Sequence, residues 1–396
     1  MLSFSDEIRT ALHEHLNRWG LKRFTSDRDY FAWQRRQLSP EDLNHLNRLV
    51  EAKRIGDHRD EVAFYDLAAR PAILPVLHSQ RYDYFEAVGK RVASRLGGAR
   101  RVLDFGCGAG ILTTFYARRF PEREFVGVDR SSASIAVAQQ KANELGLANV
   151  RFDCLDVERE PLRGCFDLIV ATHALAQAEQ DPGMPSESWR TFERTRNAER
   201  QADFERRTGI GARLDQLLAA RDSHGRMVVC EKVRHLARRV PFQRALAERA
   251  LQLIEPPEPI QYRLIEETID DGPFYVLQKG SEAALPWNES PEPDKGPVFD
   301  RNVILKAPTD SDRPLYENHW PSAQVAWERL PDRDVTQETT RQQSDGRQVH
   351  VELGTSNRMQ YLYCANTFDQ RQLVIVESAR AAMLEDYYRE IIGGMP

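Results

Sequence analysis

Ile8, Leu12, Leu16 and Trp19 recur about every fourth position along SDEIRTALHEHLNRW, which puts one apolar stripe on a helix. SPEDLNHLNRLVEAKR predicts another helix, with Ser39 as its N-cap, Pro40 at the first helical position and acids in the first turn. A third, YDYFEAVGKRVASRL, ends at Gly97-Gly98, and Pro71 and Pro75 break the run before it. Residues 1–95 therefore read as an N-terminal helical region.

The period changes near residue 100. RVLDFG, EFVGVD, VRFDCLD, FDLIVATH and RMVVCEKV are short apolar runs, and ILTTFYARRF and SSASIAVAQQKANELGL between them are helical. This alternation predicts a parallel sheet with helices on both faces. IQYRLIEETIDDGPFYVLQKG reads as two strands around an Asp271-Gly272 turn, so the sheet should end in an antiparallel hairpin. Residues 281–297, rich in Pro, Glu and Ser, read as a linker. Beyond it AQVAWERL, VTQETTRQQ, RQVHVEL, MQYLYCANT and RQLVIVES alternate, with turn residues such as Asp345-Gly346, before a final helix in ARAAMLEDYYREII. Residues 298–396 thus predict a small antiparallel sheet with one helix.

Composition narrows the class. With 41% hydrophobic and 29% charged residues, the 396-residue chain has material for two or three globular domains. No apolar run reaches the roughly 20 residues that span a bilayer, and the N-terminus lacks a signal-peptide core. The five cysteines form no C-x-x-C pair, so reduced thiols and a cytoplasmic location are expected and a metal site is not. The net charge is -5, yet residues 190–249 hold 15 Lys/Arg against 8 Asp/Glu, a stretch that a solvated face or an acidic partner would explain.

The chemistry concentrates in VLDFGCGAGILTTFYARRFPEREFVGVDRS, residues 102–131. As a dinucleotide fingerprint it fails, because Ile111 stands where G-x-G-x-x-G needs Gly or Ala. Asp104 is the second objection, since a carboxylate beside the turn would repel a pyrophosphate that relies on backbone N–H groups. The ligand should lack phosphates and carry positive charge, and S-adenosylmethionine has both properties. Glycines at 106, 108 and 110 let the backbone approach it.

VLDFGCGAG followed by FVGVDRS resembles the first two motifs of the class I S-adenosylmethionine-dependent methyltransferases, over about residues 80–280. The resemblance implies an α/β fold with a Rossmann-like seven-stranded sheet whose last strand is antiparallel. It implies S-adenosylmethionine as cofactor, with Asp104, Gly106, Cys107, Gly108 and Gly110 around its methionine part and Asp129 and Arg130 at the ribose. Asp156 and Val157 of CLDVE would meet the adenine, and Ala171 and Thr172 the methionine end. His173 stands at the substrate opening as a candidate catalytic base, against the plainer reading of a residue that packs or caps a helix start. Tyr82 and Tyr84 read as core aromatics.

The domains expected are 1–95, a methyltransferase domain at 96–280 with a lid-like insertion at 178–211, the linker 281–297, and 298–396. The sequence lacks the Asn/Asp-Pro-Pro-aromatic tetrad of base-amino methyltransferases and a Pro-Cys nucleophile pair. A small-molecule acceptor methylated on O, N or C is therefore expected. The alternatives are an RNA or protein acceptor using 190–249, and a non-catalytic cofactor-binding module.

Overall fold

The computed structural model describes residues 4–55, 58–176, 181–280, 284–300, 313–343 and 346–394. Two compact units emerge. The first comprises 1–181, 202–234 and 242–287; the second comprises 182–201, 235–241 and 288–396.

Six helices open the first unit: α1 (Phe4–Arg18), α2 (Asp27–Gln37), α3 (Pro40–Ile55), α4 (His58–Ala68), α5 (Leu74–Gln80) and α6 (Tyr82–Arg95). The apolar stripe of α1 is buried at Ile8, Leu12 and Leu16, and the Asp42 N–H donates to Ser39 Oγ at the start of α3. The sheet follows: β1 (Arg101–Phe105), β2 (Glu124–Asp129), β3 (Val150–Cys154), β4 (Phe166–Thr172), β5 (Arg221–Cys230), β6 (Leu251–Leu253), β7 (Glu258–Leu264) and β8 (Glu267–Lys279). Helices α7 (Ile111–Arg119) and α8 (Ser132–Glu144) connect β1 to β2 and β2 to β3. The order is β3-β2-β1-β4-β5-β8-β6, with β7 on β8. β1 runs parallel to β2 and β4, and β8 runs antiparallel to β5 and β6.

The sheet has eight strands where seven were expected, and its hairpin turns elsewhere. β7 and β8 meet at Ile265, which takes a φ of 61°, whereas Asp271-Gly272 lies inside β8. There Ile260 pairs with Asp271 and Glu258 with Phe274, so β8 carries one extra residue. Asp-Gly marks a need for positive φ, and a bulge meets that need as well as a turn does. Gly272 has a φ of 89°.

Residues alternate along each strand between two cores. Val102, Val170 and Val228 pack under Leu12, Val88 and Phe115 on one face; Leu103, Ile169 and Val229 pack with Leu214, Leu217 and Phe242 on the other. Each fully buried aliphatic side chain contributes about 1.5–3 kcal/mol, enough to fix which face of each strand is which.

The second unit holds a five-stranded antiparallel sheet of Arg333–Gln342, Gln348–Ser356, Met359–Asn366, Arg371–Glu377 and Tyr316–Asn318, in that spatial order. The run AQVAWERL, grouped above with the alternating segments, is mostly helix (Ser322–Glu328), burying Ala323 and Ala326 against Tyr361 and Tyr363. The closing helix Ala381–Gly393 packs Leu384 and Tyr388 with Val351 and Val374. Asp345 of the expected turn lies outside the described residues; Gly346 has a φ of 84°.

The expected lid does not form one element. Trp189 stacks on His350 (3.5 Å between ring centroids, 2° between planes) and Phe192 lies under the Arg371 guanidinium, both within the second unit. Phe204 is buried in the core of the first. Residues 178–180 lie outside the described residues.

Candidate functional site

At the end of β1 the chain must turn sharply against the segment that follows β4. Gly106 takes a φ of 72°, and a Cβ there would lie 2.3 Å from the Cβ of Ala174. The Gly106 and Cys107 N–H groups donate to the Val128 carbonyl, which stitches the turn to β2. Gly108, with a φ of 53°, has nothing within 4 Å of a Cβ position, because it faces a cavity of about 420 Å³.

Asp129 and Asp104 are among the acids that border that cavity. Asp129 accepts from the Gly108 N–H and from the Ser131 N–H, both at 2.9 Å. Burial raises its pKa against those two bonds. Asp104 is 5% exposed and accepts from Thr113 Oγ1 at 2.5 Å. Burial pushes Asp104 up to about 7 despite that bond, and Asp129 adds to the rise. A desolvated carboxylate with no cation beside it is costly, and a cationic guest would relieve that cost.

The cover over β2 comes from α4. Arg130 pairs with Glu61, and Ser131 Oγ donates to Asp66 at 2.7 Å. Val50 and Lys53 of α3 and Phe64 and Tyr65 of α4 extend this wall. All the lining residues belong to the first unit.

At the other end the loop after β4 is clamped from two sides. Glu231, just past β5, accepts from the Ala174 and Leu175 N–H groups, both at 2.6 Å; burial pushes its carboxyl up to about 7. Arg213, from the helix Ile210–Ala219, donates to the carbonyls of the same two residues and to Glu158. His173 precedes them with a left-handed φ of 55°. Its ring stacks on Tyr84 at 4.8 Å between centroids. Arg81 Nη2 lies 2.9 Å from Nδ1, and Asp271 Oδ2 lies 2.9 Å from Nε2, off the line of an ideal hydrogen bond. A guanidinium only donates, so Nδ1 accepts and the ring proton sits on Nε2, towards Asp271. Tyr262 donates to the same Asp271 oxygen at 2.8 Å. Burial lowers His173 to about 4, Asp271 opposing, so the imidazole is neutral at pH 7. Burial alone would raise Asp271, but His173 and the Gly272 N–H hold it below the usual carboxylate range.

The structure brings Asp104, Gly106, Cys107, Gly108, Asp129, Arg130, Asp156, Val157, Thr172 and His173 to this one cavity. Gly110 and Ala171 are elsewhere. Gly110 caps α7, close against Ala138 and Phe152, and Ala171 is buried among Leu103 and Val229. The Cys107 thiol is raised by burial and the two acids, which makes it a packing residue and not a nucleophile. Sequence reasoning missed Arg81, Glu231, Arg213, Asp271 and Tyr262. Tyr84, read as a core aromatic, is buried in the core and also lines the cavity.

Residues 97–201 match the family model described as a methyltransferase domain. The chain is 30% identical over 102 residues to a malonyl-(acyl-carrier protein) O-methyltransferase of Acetivibrio thermocellus, covering 24% of this chain and 35% of that protein. It is 36% identical over 89 residues to a trans-aconitate 2-methyltransferase of Deinococcus radiodurans, 22% of this chain and 32% of that one. The chain thus spans about a third of the length of these curated relatives. Among solved structures, an N-methyltransferase of Bradyrhizobium japonicum with S-adenosylhomocysteine overlaps at 18% identity and a TM-score of 0.35, covering 50% of this chain and 89% of that one. Residues 97–201 form a methyltransferase domain of the class I kind, and the cofactor of that class is S-adenosylmethionine. The residues present fit it: the glycine opening at 108, the acid ending β2, and a buried Asp104 with no cation beside it among the described residues.

Proposed function

We propose that the chain transfers a methyl group from S-adenosylmethionine to a small organic acceptor seated beside Arg81 and Tyr84. One observation carries the reading: a single cavity joins the acid-and-glycine turn of β1 and β2 to a wall of Arg81, Tyr84, Tyr262 and His173. Asp129 would hold the ribose, and Asp104 with the 106–108 turn the methionine part. Bound there, the cofactor supplies an electrophilic methyl group on a sulfonium sulfur. The chain supplies placement, and orientation of the acceptor contributes roughly 7–11 kcal/mol to such a displacement. Helices α3 to α6 shelter the site from water.

His173 serves in this reading as a positioning residue. Both ring nitrogens face partners, Arg81 on one side and Asp271 on the other, so neither is open to take a proton from an acceptor. The names of the relatives, which methylate trans-aconitate and a malonyl group, support a small acidic or acyl acceptor and an oxygen as the methylated atom. An RNA acceptor draws little support, because within 190–249 Arg194, Arg207, Arg213, Arg234, Arg239 and Arg249 are ion-paired with acids. The test is release of S-adenosylhomocysteine by the purified chain across a panel of small acids, phenols and amines. No release with any of them would defeat the proposal.

A further inference from the structure

We infer that the acceptor is a carboxylate-bearing small molecule, gripped by Arg81 and methylated on a carboxylate oxygen to give a methyl ester. The inference rests on the proposed methyl transfer and names its substrate class.

Arg81 sits at the junction of α5 and α6, in the cavity wall. Of the five N–H donors of a guanidinium, one is held by His173 Nδ1. Its face lies 4.2 Å over the Tyr84 ring. Among the described residues it has no carboxylate within ion-pair distance and no other hydrogen-bond acceptor. A guanidinium locked on one edge and one face, with its remaining donors open to a cavity, is built to receive a planar oxyanion in two-point fashion. Asp271 balances its charge at one remove, through His173, and leaves those donors free. A cationic amine acceptor would meet Arg81 with like charge.

The second line concerns proton transfer. An ammonium or a phenol must lose a proton before or as it is methylated, and neither imidazole of this wall is set to take it. His173 Nδ1 is taken by Arg81 and its Nε2 carries the ring proton, and His78, the other imidazole of the wall, is held to about 3 by burial and by Arg81. A carboxylate needs none. One of its oxygens forms the O–CH3 bond as the S–CH3 bond breaks, and that bond's electron pair returns to sulfur. The products are the neutral ester and S-adenosylhomocysteine, and no proton moves. The ester has lost the negative charge that Arg81 held, which favours its release.

Location adds a third line. Gly106 touches Ala174, the residue after His173, so the Arg81–His173 pair stands next to the turn expected to cradle the methionine part.

The test uses the full chain, tritiated S-adenosylmethionine, and trans-aconitate and malonate as probes, with their amides as controls. Calorimetry should show acid binding to the wild type, with at least a tenfold loss in Arg81→Gln and a smaller one in Arg81→Lys. S-adenosylmethionine affinity should be unchanged in both, which also shows that the variants fold. Label transferred to the acid should leave as methanol under mild base, the mark of an ester. Binding of the acids that is equal in Arg81→Gln, no binding of either acid, or base-stable label would overturn the inference. A wild type that binds S-adenosylmethionine and methylates a phenol or amine would end this inference and spare the broader proposal; one that binds no S-adenosylmethionine would end both.

Discussion

Arg81 and His173 lie 92 positions apart in the chain, and their Nη2 and Nδ1 atoms are 2.9 Å apart in the fold. In the proposed reading this contact makes His173 a positioning residue. An imidazole whose acceptor nitrogen is taken by a guanidinium orients that guanidinium; it does not wait for a proton. His173→Asn tolerates the left-handed backbone at this position and keeps a hydrogen-bond acceptor. It should cost less than tenfold in kcat, raise KM for the acceptor, and leave the shape of the pH–rate profile unchanged. A loss of about 10²–10⁴ in kcat with a vanished acid limb would restore the general-base role.

The pH dependence of cofactor binding should report Asp104. Its carboxyl stands at about 7 without ligand, and a cationic ligand favours the ionised form. Below about pH 7 binding must first remove a proton, so affinity should fall with pH by up to about tenfold per unit. Titrations near pH 6 in buffers of different ionisation enthalpy should show a proton released. Asp104→Asn should abolish that release, and an undiminished release in the variant would assign the proton to another group.

His15 makes a separate prediction about stability. It is fully buried on α1, with Nε2 2.9 Å from the Ile111 carbonyl at the start of α7, and burial lowers it to about 4 from 6.5. Between pH 6.5 and 4 the unfolded chain therefore binds more protons than the folded one at this residue. The contribution of His15 to stability is full above 6.5 and is lost as pH falls, by about 2 kcal/mol at pH 5. Urea unfolding of wild type and His15→Gln at pH 7.5 and 5 should show the stability difference shift by that amount in favour of the variant. A difference independent of pH would mean that His15 titrates alike in both states.

Much of this was legible in the sequence because it is local. Periodicity marked the apolar stripe of α1, and the spacing of Asp104, the glycines and Asp129 put their turn on a strand-to-helix connection. What was missed is non-local. Glu231 and Arg213 clamp the loop after β4 from distant strand and helix ends, and nothing in their neighbours announces it. Asp271 was misread because Asp-Gly is a signal for positive φ, and the fold uses it as a bulge that faces the acid towards His173. Trp189 and Phe204 of 178–211 are both buried, but periodicity carries no information about which core receives each.

The division of 178–211 between the two units bears on proteolysis. Cleavage within 284–297 is expected to leave two fragments that co-elute on gel filtration, because Trp189 belongs to the N-terminal fragment yet stacks on His350 of the C-terminal one. Trp189→Ala should lower the stability of the second unit by about 3–5 kcal/mol, read from its own unfolding transition. Clean separation of the fragments would make the second sheet independent of that segment.

The central claim is that the cavity holds S-adenosylmethionine through the acid ending β2. Isothermal titration of the wild-type chain and Asp129→Ala with S-adenosylmethionine, and with NAD as the control, tests it most directly. Asp129 is a charged acceptor for the ribose hydroxyls and also holds the Gly108 N–H at 2.9 Å. Its loss should weaken S-adenosylmethionine binding by about 1.5–3 kcal/mol, while NAD binds neither protein. A wild type that binds NAD and not S-adenosylmethionine would contradict the account.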